Sequence, residues 1–202
     1  MFRKIVFFLF MIVPAAASWT QPPSLDRQPA MAGTFYPADR NELISTLADL
    51  FKEAVPTKNL TDVVAIIAPH AGYIFSGSVA ASSFNQIDPE KEYDNIFVIG
   101  SSHYVSFDGA SIYQKGNFIT PLGIVKVNTK LAGELIAKYP FFNDRDDAHA
   151  KEHCIEVQLP FLQYRMKKDF RIVPIVIGTQ SSDVCRHIAD ALKQYCTTKN
   201  LF

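Results

Sequence analysis

The stretch VVAIIAPHAGYIFSG, residues 63–77, runs from six apolar residues into a proline, a histidine and a glycine. A continuous apolar run rich in β-branched side chains is typical of a strand buried on both faces, so we predict a strand over Val63–Ala68. The runs NIFVIG (95–100) and RIVPIVIG (171–178) repeat this pattern. Strands of this kind that alternate with helical segments predict an α/β fold with a largely parallel central sheet flanked by helices.

The composition suits one globular domain. The chain has 202 residues, and 48% of them are apolar, which is enough to bury a sizeable core. Its 20 basic and 20 acidic residues balance, and no basic run or phosphate-binding loop stands out. These features argue against a nucleic-acid partner.

The N-terminal residues have the order of a secretory signal peptide: Arg3 and Lys4, a short apolar run over 5–13, Pro14, and then AAAS. We predict a signal peptide over 1–17, a linker over 18–28 and a domain over 29–202. The protein would then be exported, periplasmic or extracellular, with no stable membrane association after cleavage. The alternative is an uncleaved N-terminal anchor, although the run is shorter than the ~20 residues of a spanning helix.

The remaining elements follow from spacing and turn signals. Asp39 with Glu42 forms a capping-box pattern ahead of a helix over Arg40–Ala54. Pro160 predicts an interruption or bend in a helix over 152–166. Further helices are predicted over 76–87, 128–139 and 183–196, and a β-hairpin or small meander over 111–127.

Histidines follow two of the predicted strands. His70 lies two residues after Ala68, and His103 lies three residues after Gly100. Because ligands bind beyond the carboxyl ends of parallel strands, we expect both imidazoles at one edge of the sheet. Tyr73 either lines a pocket there or packs in the core.

A second pair of histidines, His149 and His153, stands four residues apart in DDAHAKEHCIEVQLPF. This spacing can place both on one helix face, as it can Glu152 and Glu156, while His149 can also lie just before the helix. Imidazole is a common ligand of transition metals and a proton carrier near neutral pH. The four histidines therefore indicate a metal site or a general base, and the alternative for each is a hydrogen-bonded loop residue.

Five motifs in the same order, AGTFYP, APHAGYIFSG, VIGSSHY, TPLG and EHCIEVQLPFLQ, resemble the MEMO family, called AmmeMemoRadiSam system protein B in bacteria and archaea. The resemblance runs from Arg27 to the end of the sequence. It implies a fold like that of the class III extradiol ring-cleaving dioxygenases, with a metal site at one edge of the sheet.

The resemblance also implies site residues. Members of this family bind iron or copper through two histidines and one cysteine. Carried over to this sequence, the two histidine ligands are His70 and His103, and His153 is the catalytic residue that gives and takes protons. The residues expected to support these ligands or line the pocket are His149, Tyr73, Tyr104 and Glu152.

The sequence departs from the family pattern in two places. Cys154 stands where serine is usual, and the pattern continues past KNLF into a further strand and the cysteine ligand, beyond Phe202. None of the three cysteines, which allow at most one disulfide, matches that ligand: Cys154, Cys185 and Cys196. We therefore expect an iron or copper site whose third ligand is missing, and a sheet that lacks its C-terminal strand or strands.

Three functions compete at this point. The first is a metal-dependent redox or dioxygenase-like enzyme built on His70 and His103, with a small molecule as substrate. The second is a binding module that holds a peptide or small ligand in the same histidine-lined cleft without turnover. The third is an inactive, truncated paralogue.

Overall fold

The computed structural model describes residues 25–202. The predicted signal peptide and residues 18–24 of the predicted linker lie outside the described residues. The seven helices of the described part are α1 (Arg40–Glu53), α2 (Tyr73–Phe84), α3 (Thr129–Lys138), α4 (Asp146–Ala150), α5 (His153–Glu156), α6 (Leu159–Arg165) and α7 (Ser182–Lys193). Its strands are β1 (Asn95–Ser101), β2 (Ala110–Ile112), β3 (Phe118–Thr120), β4 (Gly123–Val127), β5 (Phe142–Asn143), β6 (Arg171–Ile177) and β7 (Asn200–Leu201).

One mostly parallel sheet organises the described chain, in the order β3-β4-β6-β1-β7. β1 and β6 form its centre and run parallel, from Ile96 opposite Ile172 to Ser101 opposite Ile177. β7 continues the parallel pairing beyond β1, and β4 pairs in parallel with the start of β6. β2 pairs antiparallel with the end of β6 and also parallel with β5. The predicted α/β fold with a largely parallel central sheet flanked by helices is confirmed.

Helices cover both faces of this sheet. Ile96 and Ile172 point into a core cluster shared with α1, α2 and α6, while Phe97 and Val173 point into a second cluster shared with α3 and α7. Successive side chains of a strand point to opposite faces, and both faces of β1 and β6 are therefore apolar. No helix among residues 25–202 is long and apolar enough to cross a membrane.

The prediction of a strand over Val63–Ala68 was wrong. This segment is extended, and two backbone hydrogen bonds join it to Phe202: the Ile66 N–H donates to Phe202 O at 2.8 Å, and the Phe202 N–H donates to Val64 O at 2.9 Å. A ladder requires successive paired residues, and this segment pairs with one residue, Phe202, which follows β7. Ile67 is consequently 95% exposed rather than buried.

Other sequence predictions hold with adjusted boundaries. α2 begins at Tyr73 rather than residue 76, because the Tyr73 N–H donates to the Phe35 carbonyl at 2.8 Å and Gly72 precedes it as the cap. The predicted hairpin is formed by β3 and β4, whereas β2 belongs to the central sheet. The interruption near Pro160 separates α5 from α6, and Pro160 lies in the first turn of α6, where its missing N–H costs no hydrogen bond.

Candidate metal centre

Three imidazoles converge at the carboxyl edge of the sheet, each from a different segment. His70 precedes α2, His103 follows β1, and His153 opens α5. The ring centroids of His103 and His153 lie 4.2 Å apart, and His70 lies 5.2 Å from His103 and 5.7 Å from His153. One nitrogen of each ring lies within 4.8 Å of the other two. The structure therefore brings together the three histidines that the sequence motifs singled out.

Glu152 holds His103 in place. Its Oε2 accepts the main-chain N–H of His103 at 2.7 Å, and its Oε1 lies 2.9 Å from His103 Nδ1. Glu152 is also the cap of α5, since Oε1 accepts the main-chain N–H groups of His153 and Cys154 at 2.9 and 3.1 Å. One buried carboxylate thus fixes the backbone and ring of one histidine and the helix that carries another.

A close approach at Gly100 brings β1 and α5 together. A Cβ placed on Gly100 would lie 2.4 Å from Cys154 Sγ, so any larger side chain would push the helix away. Because Gly100 on β1 precedes His103 and Cys154 follows His153 on α5, this close contact brings together the two segments that carry these rings. Cys154 is buried, and its sulfur can join His103 and Glu152 in a second group of potential ligand atoms.

The electrostatics of the site favour the neutral form of two of the imidazoles, His70 and His153. Burial lowers the pKa of His70 below its usual 6.5, and the nearby His103 lowers this pKa further. Burial and His103 likewise lower the pKa of His153. Burial by itself raises the pKa of Glu152, but the hydrogen bonds donated by His103 and Cys154 bring that pKa below its ordinary value of 4.5. Metal coordination requires neutral imidazoles, and the lowered pKa values of His70 and His153 favour that form.

The cluster opens to solvent through a shallow pocket. The side chain of His103 is 36% exposed, and the pocket, about 690 Å³ in volume, is lined by the three histidines together with Ile67 and Val79. The Phe35 ring lies 4.9 Å from His153, and the Tyr104 ring lies 6.0 Å from the same histidine. A small molecule can therefore reach the imidazoles along an apolar and aromatic surface.

Two of the predicted pocket residues lie elsewhere. Tyr73 points into the core, where its hydroxyl donates to Val157 O at 2.8 Å. His149 is buried on α4, with Nε2 3.2 Å from Ser111 Oγ, and burial lowers its pKa to about 4. His149 and His153 do not share a helix face, because α4 ends at Ala150 and α5 starts at His153.

Sequence reasoning missed the residues behind the site. The carboxylate of Glu156, fully buried, accepts hydrogen bonds from Arg27, from Tyr36 Oη and from the main-chain N–H groups of Ala30 and Met31. The sequence signal that could have indicated this network is Glu156, a charged residue inside the largely apolar run IEVQLPF. Arg27, which the sequence places in a linker, belongs to this packed region and forms a β-bridge with Phe118.

These features define a class: an α/β protein with a histidine cluster at the carboxyl edge of a mostly parallel sheet. Comparison with known proteins narrows it, since residues 27–202 match the family of Memo-like proteins. A MEMO1 family protein of Methanobrevibacter smithii is 36% identical over 187 residues, covering 84% of this chain and 66% of that protein. A MEMO1 family protein of Pyrococcus abyssi is 39% identical over 82% of this chain and 58% of its own length. A MEMO1 family protein of Aeropyrum pernix is 40% identical over 82% of this chain and 62% of its own length. This chain therefore belongs to the Memo-like family.

The matched relatives are longer than this chain. The chain spans 58% to 66% of the length of the three relatives named above. The activity and partners of full-length family members can therefore be proposed for this chain but do not follow from its membership of the family.

Proposed function

We propose that this chain is a metal-binding protein that holds one iron or copper ion with His70, His103 and His153. The observation that carries the proposal is the convergence of three imidazole nitrogens within 4.8 Å of one another. The family resemblance assigns His70 and His103 to the metal and His153 to proton transfer. We assign His153 to the metal as well, because its ring lies closer to His103 than the ring of His70 does.

The donor set fits such an ion. Imidazole suits iron, copper, zinc and nickel, and the choice of iron or copper rests on the family resemblance. His153 Nδ1 is a buried nitrogen that has no hydrogen-bond partner among the described residues, although Glu152 Oε1 lies 3.4 Å away. A metal-bound imidazole commonly donates its second N–H to a carboxylate, which is what Glu152 offers to His103 Nδ1.

The surrounding residues have definable tasks in this site. Glu152 accepts a hydrogen bond from His103 Nδ1–H, so His103 Nε2 is left as the ligand atom. The lowered pKa values of His70 and His153 keep their lone pairs available below pH 6.5. When bound, iron or copper supplies one-electron transfer and polarisation of a small ligand. The exposure of His103 leaves the site open to such a ligand, consistent with a redox enzyme that acts on a small molecule.

The test is metal content. The purified chain is loaded anaerobically with Fe(II) and, separately, with copper, and bound metal is counted by elemental mass spectrometry. We expect about one equivalent, lost in His70→Ala and in His103→Ala. His187→Ala is the matched control, because His187 is exposed on α7 and outside the cluster. No bound metal, or unchanged metal in both site variants, would overturn the proposal.

A second candidate function is binding of an apolar peptide or small ligand without turnover. It is favoured by the exposed apolar side chains beside the cluster, namely Ile67, Ile74, Phe75 and Val79. Binding of an apolar fluorescent dye separates the candidates. If a metal-free His70→Ala variant binds the dye as well as the parent chain does, the second function is supported. If Val79→Ser leaves dye binding unaffected, the result argues against the second function.

A further inference from the structure

Arg27 is a buried cation that donates hydrogen bonds to main-chain carbonyls as well as to the carboxylate that balances its charge. It is 6% exposed, and Nη1 donates to the Glu156 carboxylate and, at 3.0 Å, to Gln28 O. Glu156 balances the charge of Arg27. The remaining guanidinium donors are directed elsewhere, toward the segment that leads into α5.

Those donors bind both ends of one turn. Nε donates to His149 O at 3.2 Å, and Nη2 donates to Glu152 O at 2.8 Å. The turn between these carbonyls joins α4 to α5 and ends at the cap residue Glu152. The planar guanidinium carries donors in a rigid fork, so it fixes the spacing of the two carbonyls in a way that a lysine ammonium does not.

Glu152 connects this clamp to the histidines. Its carbonyl is held by Arg27, while its carboxylate reaches in the other direction to the main chain and Nδ1 of His103. A rotation of the Glu152 backbone would move both carboxylate oxygens away from His103. Because the tautomer of a histidine is set by the hydrogen bond that its other nitrogen makes, this backbone controls which His103 nitrogen is protonated.

We propose that Arg27 is a positioning residue for the histidine cluster. By clamping His149 O and Glu152 O, it holds the Glu152 carboxylate against His103 Nδ1 and so leaves His103 Nε2 as the nitrogen available to a ligand. The consequence for metal affinity rests on the proposed function. The consequence for the His103 tautomer does not, since it concerns the metal-free protein.

The test compares Arg27→Lys with Tyr36→Phe. Arg27→Lys keeps a positive charge beside Glu156 but loses the fork. Tyr36→Phe removes another hydrogen bond to Glu156 and leaves the clamp intact, so it controls for simple weakening of the buried network. Long-range ¹H–¹⁵N NMR of the imidazoles in the full metal-free chain reports the His103 tautomer, and metal titration of the same variants reports affinity.

We expect a single Nδ1–H tautomer of His103 in the parent chain and in Tyr36→Phe, and a mixture of tautomers with about 10-fold weaker metal binding in Arg27→Lys. A parent-like tautomer and affinity in Arg27→Lys would overturn the proposal. If the parent chain binds no metal, the proposed function fails, while the tautomer comparison still decides the role of Arg27. If Arg27→Lys does not fold, the double variant Arg27→Met with Glu156→Gln, which removes both charges together, takes its place. A mixture of His103 tautomers with weaker metal binding in the double variant supports the proposal, and a parent-like tautomer and affinity overturn it.

Discussion

The Glu152 carboxylate contacts His103 twice, with Oε2 2.7 Å from the main-chain nitrogen and Oε1 2.9 Å from the ring Nδ1. This two-point contact relates the start of α5 to the end of β1, two elements distant in sequence. Among residues 25–202, Glu152 is the only buried carboxylate that lies within 3 Å of an imidazole nitrogen. The consequences of removing it are measurable.

Glu152→Gln should weaken metal binding by about 10- to 100-fold, since an amide is a weaker acceptor and cannot accept from His103 at both positions. Isothermal titration with Cu(II) measures the change. Glu134→Gln is the control, because Glu134 is an exposed acidic residue on α3 whose partner is Lys130. Equal affinities for the two variants would show that Glu152 does not support the ligand.

His153→Ala decides whether this histidine is a ligand. We expect metal affinity to fall by at least about 10-fold, because one of three imidazole donors is lost. The measurement is the dissociation constant for Fe(II) under anaerobic conditions, with His187→Ala as the control. Retention of full affinity would instead assign His153 to proton transfer, the role that the family resemblance implies.

His149 should make the fold sensitive to acid. Its pKa is about 4 in the folded chain, against about 6.5 for an exposed imidazole in the unfolded chain. Below pH 6.5 the unfolded state therefore binds the extra proton, and the free energy of unfolding falls as the pH drops toward 4. The stabilisation present above pH 6.5 and lost across this window is about 3 kcal/mol.

Urea unfolding at pH 7 and pH 4 measures this effect in the parent chain and in His149→Gln. The quantity compared is the change in unfolding free energy between the two pH values, so any packing defect of the variant cancels. We expect a change smaller by about 3 kcal/mol in His149→Gln. Identical changes in the two proteins would contradict the assignment.

Cys154 should be chemically inert in the folded chain. Burial, together with the nearby Glu152 carboxylate, raises the pKa of its thiol well above the ordinary value, whereas Cys196 is exposed. Because the thiolate is the reactive form, iodoacetamide should label Cys196 at least about 100-fold faster than Cys154. Peptide mass spectrometry follows the labelling, and the rates should converge in denaturant. Comparable rates without denaturant would mean that α5 opens readily.

The sequence predicted the centre of the sheet because β1 and β6 are buried on both faces, which leaves an unambiguous apolar signature. The same signature placed His103 at the carboxyl edge, because His103 follows β1. His70 lies beside His103 although the segment before His70 is not a strand. The run Val63–Ala68 has the same signature but differs in its surroundings. Two backbone hydrogen bonds join it to Phe202, and it forms no ladder with a neighbouring strand among the described residues. A propensity pattern carries no information on which segment a strand will pair with.

The site was harder to predict wherever the backbone turns. The spacing of His149 and His153 suggested one helix face, but the turn at Lys151 sends the two side chains into different surroundings. Tyr73 follows His70 by three residues and nevertheless points into the core, because α2 starts at that residue. The clamp by Arg27 joins residues more than 100 positions apart, beyond the reach of any local pattern.

The three imidazoles come from segments separated by 33 and 50 positions along the chain, as their numbers 70, 103 and 153 show. An unfolded chain does not hold them together, so an ion that they bind is a ligand of the native state alone. By mass action, free metal at 100 times its dissociation constant would add about 2.7 kcal/mol to the free energy of unfolding. The melting temperature of this protein would then depend on the metal concentration around it, and the amount of folded chain would follow the local supply of that metal.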